Sequence, residues 1–481
     1  LLKMDFLGLT TLTDIKKATD YIKQTSGAEI DFVKLGYDDP KVYELIGSGN
    51  TEAVFQLESG GMKGFMRELQ PSCLEDVIAG MYRPGPMDAI PDFIKNKKAP
   101  DKIKYQHPLM KPILGVTYGI IVYQEQVMDV VRTLAGYSMG GADNIRRMMS
   151  KKKHEAMEAE RKVFVGGGVD KKTGNKINGA VANGVPENVA NEIYDMLIKF
   201  ASYGFNKSHA AAYAHVTYQT AYLKCYYPVE YFTAVLNNRI NKLDELTHYL
   251  SYIKEAKITV LPPSVNKSGA EYSVEDGCIR IGMGAIKGVG VPVINKIVEE
   301  RERNGEYKDF VEVVSRMEDG TGKSLINRRM VESLIFAGAF DCFGKKRAVL
   351  IAAFPSVMDR VAKERSAKMS GQMSLFDIAP EIKTEYIYPE VDEYSPNEKY
   401  KREKEVAGVY LSGHPLSAYI DKLKQFKYNT SMLNPRLPAV RFKNNDRRHA
   451  HRNGKQTDQK GQPHGHGGAR RSLRHRRSFG V

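Results

Sequence analysis

Two kinds of hydrophobic spacing along the chain predict a mainly helical fold with a short strand at its start. Residues 1–9 alternate between apolar and polar positions, which is typical of a strand because neighbouring side chains lie on opposite faces. Residues 14–24 place apolar side chains at helical spacing behind Thr11 and Thr13, either of which could cap that helix. The pattern therefore predicts a strand followed by a helix.

Helical spacing dominates the rest of the chain. Two apolar stripes stand out: Val127, Val130, Val131 and Leu134, and then Val189, Ile193, Met196, Leu197 and Phe200. Apolar residues three and four apart lie on one face of a helix, so both stripes predict helices packed into a core.

A cluster of polar residues opens an alanine-rich helix that the sequence predicts within residues 202–223. Its members are Tyr203, Asn206, Lys207, Ser208 and His209. The first backbone N–H groups of a helix lack partners and attract anions, so this cluster suits a phosphate. A plain helix cap by Asn206 or Ser208 is the alternative.

Five cations lie within eight positions on a predicted helix that Asp143 caps. They are Arg146, Arg147 and the lysines at 151–153. Guanidinium groups recognise phosphate through paired hydrogen bonds, so the run indicates either a phosphate site or an ordinary solvated helix face.

The residues Gly288, Val289 and Gly290 lie between an apolar segment and a helix predicted to begin near Pro292, with Lys287 and Lys296 on either side. Glycines let backbone amides approach a DNA phosphate, so this order is that of a helix-hairpin-helix. A simple tight turn is the alternative.

A short apolar motif lies in a polar part of the chain: Gln372, Met373, Ser374, Leu375 and Phe376. A Leu-Phe pair in such surroundings suits an apolar groove on a partner protein, unless it packs on its own domain. The prolines and carboxylates of residues 379–401 predict a linker without a packed core.

The net charge of +15 indicates a nucleic-acid partner, but the charge is unevenly distributed. From Arg436 onward, 13 Lys and Arg stand against 2 Asp, so this tail carries +11 and residues 1–435 carry only +4. Four dispersed cysteines without a CxxC pair indicate a reducing, cytoplasmic location, and no apolar run predicts a membrane segment.

The tail has three interpretations. Residues 441–481 contain five of the eleven histidines and little apolar periodicity, which is typical of a metal-binding or RNA-binding arm or of a disordered tail. The third interpretation, translation out of frame, fits better. With suitable codons, the DNA that encodes ARRSLRHRRSFGV would encode RDGAFGTVEVLV in a shifted reading frame, and that sequence has the pattern of a strand.

Six motifs, in order, closely resemble the alpha-subunit family of bacterial DNA polymerase III, the C-family replicative polymerases. They are KMDFLGL (3–9), VFQLESGGMK (54–63), YRPGPM (82–87), YQEQVM (123–128), GADNIRRMMSKKK (141–153) and the stretch at 202–223. The resemblance covers residues 1–435 and implies an internal fragment of such a polymerase.

The family's reaction is a two-metal phosphoryl transfer in which three aspartates hold two Mg²⁺ ions. By resemblance, Asp5 is the third aspartate, a metal ligand and catalytic residue, and Lys3 contacts the triphosphate. The first two aspartates belong to an upstream motif that this sequence lacks, so we expect the chain alone to be inactive. The resemblance assigns nucleotide binding to Arg83, Arg146, Arg147, Lys207, Ser208 and His209.

The implied fold is mainly α with a short β element. It comprises the end of a palm at 1–30, helical fingers at 31–240, a tandem helix-hairpin-helix DNA-binding domain at 241–345 and a clamp-binding segment at 346–380. Residues 381–435 form a linker toward an OB-fold, of which only the truncated start is present. Residues 436–481 form the basic tail, which is out of frame or disordered. Residues 327–341 resemble the second half of the tandem unit.

The implied partners are primer-template DNA, deoxynucleoside triphosphates, the beta sliding clamp, which binds Gln372 to Phe376, and other replicase subunits such as the clamp loader and a proofreading exonuclease. A non-catalytic module that binds DNA and the clamp is the alternative function. A membrane is not among the expected partners.

Overall fold

Helices make up most of the chain, as the sequence predicted, and in the part that the structure describes β-structure is confined to short strands. The computed structural model describes residues 8–80, 90–150, 154–170, 174–201, 207–318, 323–369 and 386–419. The described residues up to Ser417 belong to one compact unit. Within the described part of the chain, no helix is both long and apolar enough to cross a membrane.

The first fourteen helices cover the amino-terminal half and a little more. They are α1 Thr10–Ser26, α2 Phe32–Leu35, α3 Pro40–Gly47, α4 Gly60–Leu69, α5 Leu74–Gly80, α6 Ile90–Lys98, α7 Lys111–Leu114, α8 Gln124–Ala135, α9 Met139–Ser150, α10 His154–Gly166, α11 Glu187–Ala201, α12 Lys207–Tyr226, α13 Pro228–Asn237 and α14 Leu243–Glu255.

In the remaining described residues the helices are α15 Val291–Asn304, α16 Phe310–Arg316, α17 Arg328–Ala337, α18 Arg347–Met369 and α19 Pro396–Ala407. Single 3₁₀ turns occur at Pro100–Lys102, Pro108–Met110, Gly115–Thr117, Met283–Ala285, Asp341–Phe343 and Ser417–Tyr419.

Two small sheets interrupt the helices. Strands β1 Gly168–Val169 and β2 Lys176–Ile177 form an antiparallel pair. Strands β3 Val260–Leu261, β4 Ser273–Glu275 and β5 Cys278–Arg280 form a sheet in the order β3-β5-β4, with β3 parallel and β4 antiparallel to β5. Ile279 pairs with both Val260 and Val274, and its side chain is buried against α13 and α14.

Helix α12 joins two neighbouring cores. Its residues Ala214 and Tyr218 pack with Ile46 and Met66 of α3 and α4. Its later residue Leu223 packs instead with the second core, formed by α1, α13, α14 and the three-stranded sheet. One helix therefore contributes to both cores.

Helices α8 to α11 form a separate core, and the two stripes seen in the sequence face it. Val127, Val130, Val131 and Leu134 are buried on α8, and Ile193 and Leu197 are buried on α11, with Val189, Met196 and Phe200 packed against them. The prediction from helical spacing is therefore confirmed for both stripes.

The last core contains α15 to α18 and receives α19. Phe310, Leu334, Phe340 and Leu350 are buried in it, and Ala407 from the end of α19 packs into the same core.

Two predicted helix caps are wrong. Helix α1 begins at Thr10 after Leu9, whose side chain makes no capping hydrogen bond, so Thr11 and Thr13 lie within the first turn. Helix α9 begins at Met139, four residues before Asp143, which therefore cannot cap it. Both errors arose because the helices extend beyond their apolar stripes.

The expectation that residues 379–401 lack a packed core is wrong for the part that the structure describes. Tyr386 and Tyr388 pack against the last core. The Glu393 carboxylate accepts hydrogen bonds from the backbone N–H groups of Arg347 and Ala348 at the start of α18. Carboxylates placed on the free amides of a helix start stabilise it, so this acidic segment packs as part of the domain.

Candidate functional site

The start of α8 is fixed by one buried side chain. Gln126 accepts hydrogen bonds from the backbone N–H groups of Val122 (2.8 Å) and Tyr123 (3.0 Å) through Oε1. Its Nε2 donates to Thr117 Oγ1 at 2.7 Å. Because both ends of the amide are used, the positions of the adjacent residues Gln124 and Glu125 are held firmly.

Gln124 contacts the arginine pair of α9. Arg146 Nη1 donates to Gln124 Oε1 at 2.9 Å, and Arg146 Nε donates to Asp143 Oδ1 at 2.9 Å. Arg147 Nε lies 2.7 Å from the other oxygen of Asp143. The hydrogen bond from Arg146, with the charge of Arg147, holds the pKa of Asp143 below its usual value. Asp143 therefore orients both guanidinium groups instead of capping the helix.

Glu125 contacts the first residue of α12. The backbone N–H of Lys207 donates to the Glu125 carboxylate, with Oε1 at 3.2 Å and Oε2 at 3.1 Å. The Lys207 ammonium lies 2.5 Å from Glu75 Oε1 of α5 and 5.2 Å from the centre of the Tyr123 ring. The side chain of Lys207 is thus held between a carboxylate and an aromatic face.

Tyr123 lies beneath this group and is almost fully buried. Its hydroxyl makes no hydrogen bond to any described residue. Burial, and then the nearby charges of Glu75 and Glu125, raise the pKa of the hydroxyl, so it remains protonated and is available as a donor.

These contacts bring three of the sequence-predicted residues, Arg146, Arg147 and Lys207, to one end of α8. His209 is exposed and its ring centre lies 4.4 Å from that of Tyr213, while Ser208 is exposed in the first turn of α12. Two guanidinium groups, an ammonium and the start of a helix together form a suitable environment for an oxyanion.

Sequence reasoning missed the partners of these cations: Glu75, Tyr123, Gln124 and Glu125. Tyr123, Gln124 and Glu125 lie in the YQEQVM motif, which was recognised without a role for its members. The motif indicated that these residues matter. The hydrogen bond between Glu125 and the backbone of Lys207, 82 positions later, could not be predicted, because it forms only when the fold brings the starts of α8 and α12 together.

A second group surrounds the turn between β5 and α15. Gly288 has a φ of +81°, which glycine adopts without strain, and Gly290 occupies the cap position before α15. Pro292 lies in the first turn of α15, as predicted. Lys287 and Lys296 are exposed, Val289 is buried, and Lys296 pairs with Glu299 at 2.9 Å.

Two contacts at this turn were not predicted. A side chain at Gly288 would come within 3.8 Å of Arg329 Nε, so the exposed Arg329 of α17 adds a cation beside the turn. The backbone N–H of Lys287 donates to Val406 O of α19 at 2.8 Å, so the carbonyl of a later helix already uses this amide. Asn327 caps α17 by accepting from Met330 N.

Several predicted site residues lie outside the described residues. They are Lys3, Asp5, Arg83, the lysines at 151–153, and the clamp-motif residues Gln372, Met373, Ser374, Leu375 and Phe376. In the described ranges, no three His, Cys, Asp or Glu side chains come together as a metal site would require.

Two family models match the chain. The model described as the bacterial DNA polymerase III alpha subunit finger domain matches residues 11–172. The helix-hairpin-helix motif matches residues 257–350. The first range contains α8 and α9 of the arginine group, and the second contains the turn at Gly288 and helix α17.

Curated relatives named DNA polymerase III subunit alpha match most of the chain. Those from Chlamydia trachomatis serovar D and Thermus aquaticus are 40% and 42% identical, each over 87% of this chain and 33% of the relative. That from Borreliella burgdorferi is 40% identical over 92% of this chain and 38% of the relative. The chain thus spans about a third of the length of the curated relatives it matches.

Proposed function

Since the chain belongs to the alpha-subunit family of bacterial DNA polymerase III, we propose that it forms the part of a replicative DNA polymerase that holds the incoming nucleotide and the DNA. The parent reaction would be template-directed addition of a deoxynucleoside triphosphate to a primer 3′ hydroxyl. The role of this chain would be to bind the phosphates of both substrates.

The observation that carries the nucleotide role is the meeting of distant motifs at the start of α8. Gln124 holds Arg146 of α9, and the next residue, Glu125, holds Lys207 of α12. Together with Arg147, Ser208 and His209, these residues would bind the triphosphate, and Arg83 and Lys3 would join them. Guanidinium and ammonium groups stabilise the negative charges of a polyphosphate.

Nucleotide titration tests this role. We expect Arg146→Gln and Lys207→Gln each to weaken binding of a fluorescent deoxynucleoside triphosphate about tenfold or more. Arg132→Gln is the matched control, because it removes an arginine charge from α8 where Arg132 pairs with Asp129 at 3.3 Å. Equal affinities for the control and both site variants would contradict the assignment.

The DNA role would belong to the turn at Lys287, Gly288, Val289 and Gly290, with Lys296 and the neighbouring Arg329. Positive φ at Gly288 and the exposed start of α15 support a contact with backbone phosphates. Such contacts carry no base information, so Lys287→Gln should weaken binding equally across duplex sequences and lower the salt slope by about one. A sequence-dependent loss would argue against this role.

Catalysis would need Mg²⁺, for which Asp5 is the candidate ligand by resemblance. In the intact polymerase, two such ions would support phosphoryl transfer. Asp5 lies outside the described residues. Because a single matching aspartate does not position two ions, we expect no primer extension by this chain alone. Mg²⁺-dependent synthesis in a primer-extension assay, abolished by Asp5→Asn, would refute that expectation.

We also propose that the segment at residues 346–380 binds a sliding clamp through Gln372, Met373, Ser374, Leu375 and Phe376. The double variant L375A/F376A should lose clamp binding while keeping nucleotide and DNA binding. A non-catalytic DNA- and clamp-binding module predicts the same loss, so the nucleotide titration separates it from the polymerase role.

The proposed organisation keeps the predicted boundaries: palm end at 1–30, fingers at 31–240, tandem helix-hairpin-helix at 241–345, clamp segment at 346–380, and residues 381–435 leading toward an OB-fold. Clamp-loader and proofreading subunits would be further partners in a cytoplasmic replicase. Residues 436–481, as a basic or out-of-frame tail, have no role in this proposal.

A further inference from the structure

The cations at the start of α8 are already neutralised by carboxylates of the same chain. Asp143 bridges Arg146 and Arg147, Glu75 contacts the Lys207 ammonium, and Glu125 accepts from the Lys207 backbone amide. A helix start and an ammonium are where an oxyanion would bind, and a carboxylate has the same charge and acceptor atoms as a phosphate oxygen pair. The internal carboxylates therefore stand in the positions of a ligand.

The three carboxylates differ in how they are attached. Asp143 lies on the same helix as its arginines, three and four residues before them, so it moves with them. Glu75 and Glu125 reach Lys207 from α5 and α8, so their contacts can break while each helix stays in place. Only these two are suited to exchange with a ligand.

The Tyr123 hydroxyl provides an independent sign that the arrangement is incomplete. It is buried, the Lys207 ammonium lies 5.2 Å from the centre of the Tyr123 ring, and the charges of Glu75 and Glu125 act on the hydroxyl, yet it makes no hydrogen bond with a described residue. Buried hydroxyl groups are usually paired, because an unmade hydrogen bond costs free energy. An oxyanion that replaced the carboxylates would supply the missing acceptor.

We propose that Glu75 and Glu125 act as exchangeable internal counter-anions: they hold Lys207 and the start of α12 in the free protein and are displaced by the phosphates of the nucleotide. The inference rests on the proposed nucleotide role and adds to it a competition within the site. The carboxylates keep the cations ordered without a ligand, and their displacement makes the binding of polyphosphate weaker than the cations alone would give.

Calorimetric titration with inorganic tripolyphosphate, in EDTA and at low salt, tests the competition. The probe carries no base or sugar and needs no metal. The basic tail attracts it equally in every variant, so the difference in affinity between a site variant and its control reports on the anion site. We expect Glu75→Gln and Glu125→Gln each to tighten binding about threefold, and the double variant about tenfold, as for the loss of one partly exposed ion pair and of one charged hydrogen-bond acceptor.

The matched control is Glu306→Gln. Glu306 also neutralises a lysine, with Lys267 Nζ 2.8 Å from Glu306 Oε1, but it lies on the helix-hairpin-helix region. This control changes the net charge by the same amount, and its affinity should equal that of the unaltered chain. Circular dichroism checks that each variant folds. If Glu125→Gln disturbs the start of α12, Glu75→Gln still tests the competition, because it leaves the contact between Glu125 and the Lys207 amide in place.

The outcomes separate this inference from the proposed function. If the unaltered chain binds tripolyphosphate, Lys207→Gln loses binding, and the two glutamine variants bind no more tightly than Glu306→Gln, the site is correct and the competition is refuted. If neither the unaltered chain nor the double variant binds, both proposals fail. Tighter binding by Glu75→Gln and Glu125→Gln, but not by the control, establishes the competition.

Discussion

At the scale of single residues, the ammonium group of Lys224 and the side-chain amide of Gln126 both depend on hydrogen bonds made inside the protein. Lys224 is buried, and its Nζ donates to Asn50 O and Glu52 O, both at 2.8 Å. Its ammonium lies 4.5 Å from the centre of the Tyr252 ring. Carbonyl oxygens and an aromatic face replace water around this cation, and no carboxylate among the described residues forms an ion pair with it.

The stability of the chain should depend on pH through Lys224. Burial lowers the pKa of Lys224 to about 7, below the ordinary value of 10.5 that applies when the chain is unfolded. Between these values the unfolded chain binds the extra proton, so the free energy of unfolding should rise with pH by up to about 1.4 kcal/mol per pH unit. The contribution is complete above pH 10.5 and is lost as the pH falls through 7.

Urea unfolding at pH 7.0, 7.75 and 8.5 checks this dependence. The unaltered chain should gain stability over this range relative to Lys224→Met, which cannot titrate. Lys254→Met removes an exposed lysine from α14 and should leave the pH slope unchanged. Parallel slopes for the unaltered chain and Lys224→Met would show that Lys224 keeps its ordinary pKa.

Gln126 gives the second prediction at this scale. Gln126→Glu keeps the acceptor for Val122 N and Tyr123 N but removes the Nε2 donor to Thr117 and buries a carboxylate. We expect a loss of stability of about 1–3 kcal/mol and weaker nucleotide binding, because Gln124 and Glu125 are no longer held. The same exchange at the exposed Gln24 of α1 should change neither; unchanged binding by Gln126→Glu would contradict its positioning role.

At the scale of elements, α19 is attached to the last core by a buried ion pair. Arg347 Nη1 donates to Glu403 Oε1 at 2.8 Å, and both side chains are nearly inaccessible. The other oxygen of Glu403 accepts from the backbone N–H groups of Leu411 and Ser412. The pair thus joins the start of α18, α19 and the segment that follows it.

Breaking this pair should release α19. Glu403→Gln leaves Arg347 with one charged partner fewer, and we expect a loss of about 3–5 kcal/mol in the stability of this region. Because Val406 O binds the Lys287 amide, DNA affinity should fall as well. Glu398→Gln on the same helix, where Glu398 pairs with the more exposed Arg402, is the control.

Proteolysis and DNA titration provide the readouts for this prediction. Cleavage within residues 386–419 should become faster in Glu403→Gln and remain slow in Glu398→Gln. Full protection of the Glu403→Gln chain would show that apolar packing alone holds α19.

The same elements show what the sequence reveals about the fold and what it hides. Val127 to Leu134 define α8 correctly, because a regular stripe depends on local spacing alone. Residues 386–401 were misjudged, because a carboxylate among them, that of Glu393, finds partners in Arg347 and Ala348, which lie about 45 positions away. Arg146 and Lys207 could be named from their motifs, whereas Glu75 could not, since only the fold brings α5 to α12.

At the scale of the whole molecule, the positive charge is concentrated at one end of the chain. The compact unit Leu1–Ser417 carries a net charge of +2, whereas residues 418–481 carry +13. Non-specific DNA binding increases with the number of phosphates that cations neutralise, and it weakens steeply with salt. DNA binding by the full chain therefore mixes a charge effect from the tail with any contact made by the hairpin.

Removal of residues 418–481 should separate the two. We expect the shortened chain to show a much shallower dependence of DNA affinity on salt, and Lys287→Gln in that background to lower the remaining slope by about one. Fluorescence anisotropy with duplex DNA between about 50 and 200 mM salt measures both. Lys254→Gln, on the exposed face of α14, is the control; an equal effect of the two substitutions would remove the hairpin from the interface.

Helix α12 connects the proposed nucleotide site to the buried Lys224. It is a single rod of 20 residues, about 30 Å long, with Lys207 at one end and Lys224 near the other. Because Lys207 and Lys224 lie on one continuous helix, an axial shift of α12 on ligand binding would also move Lys224 relative to the carbonyl oxygens of Asn50 and Glu52. Nucleotide affinity and the protonation of Lys224 would then be thermodynamically linked, and replacing Lys224 by Met should remove that part of the pH dependence of nucleotide binding.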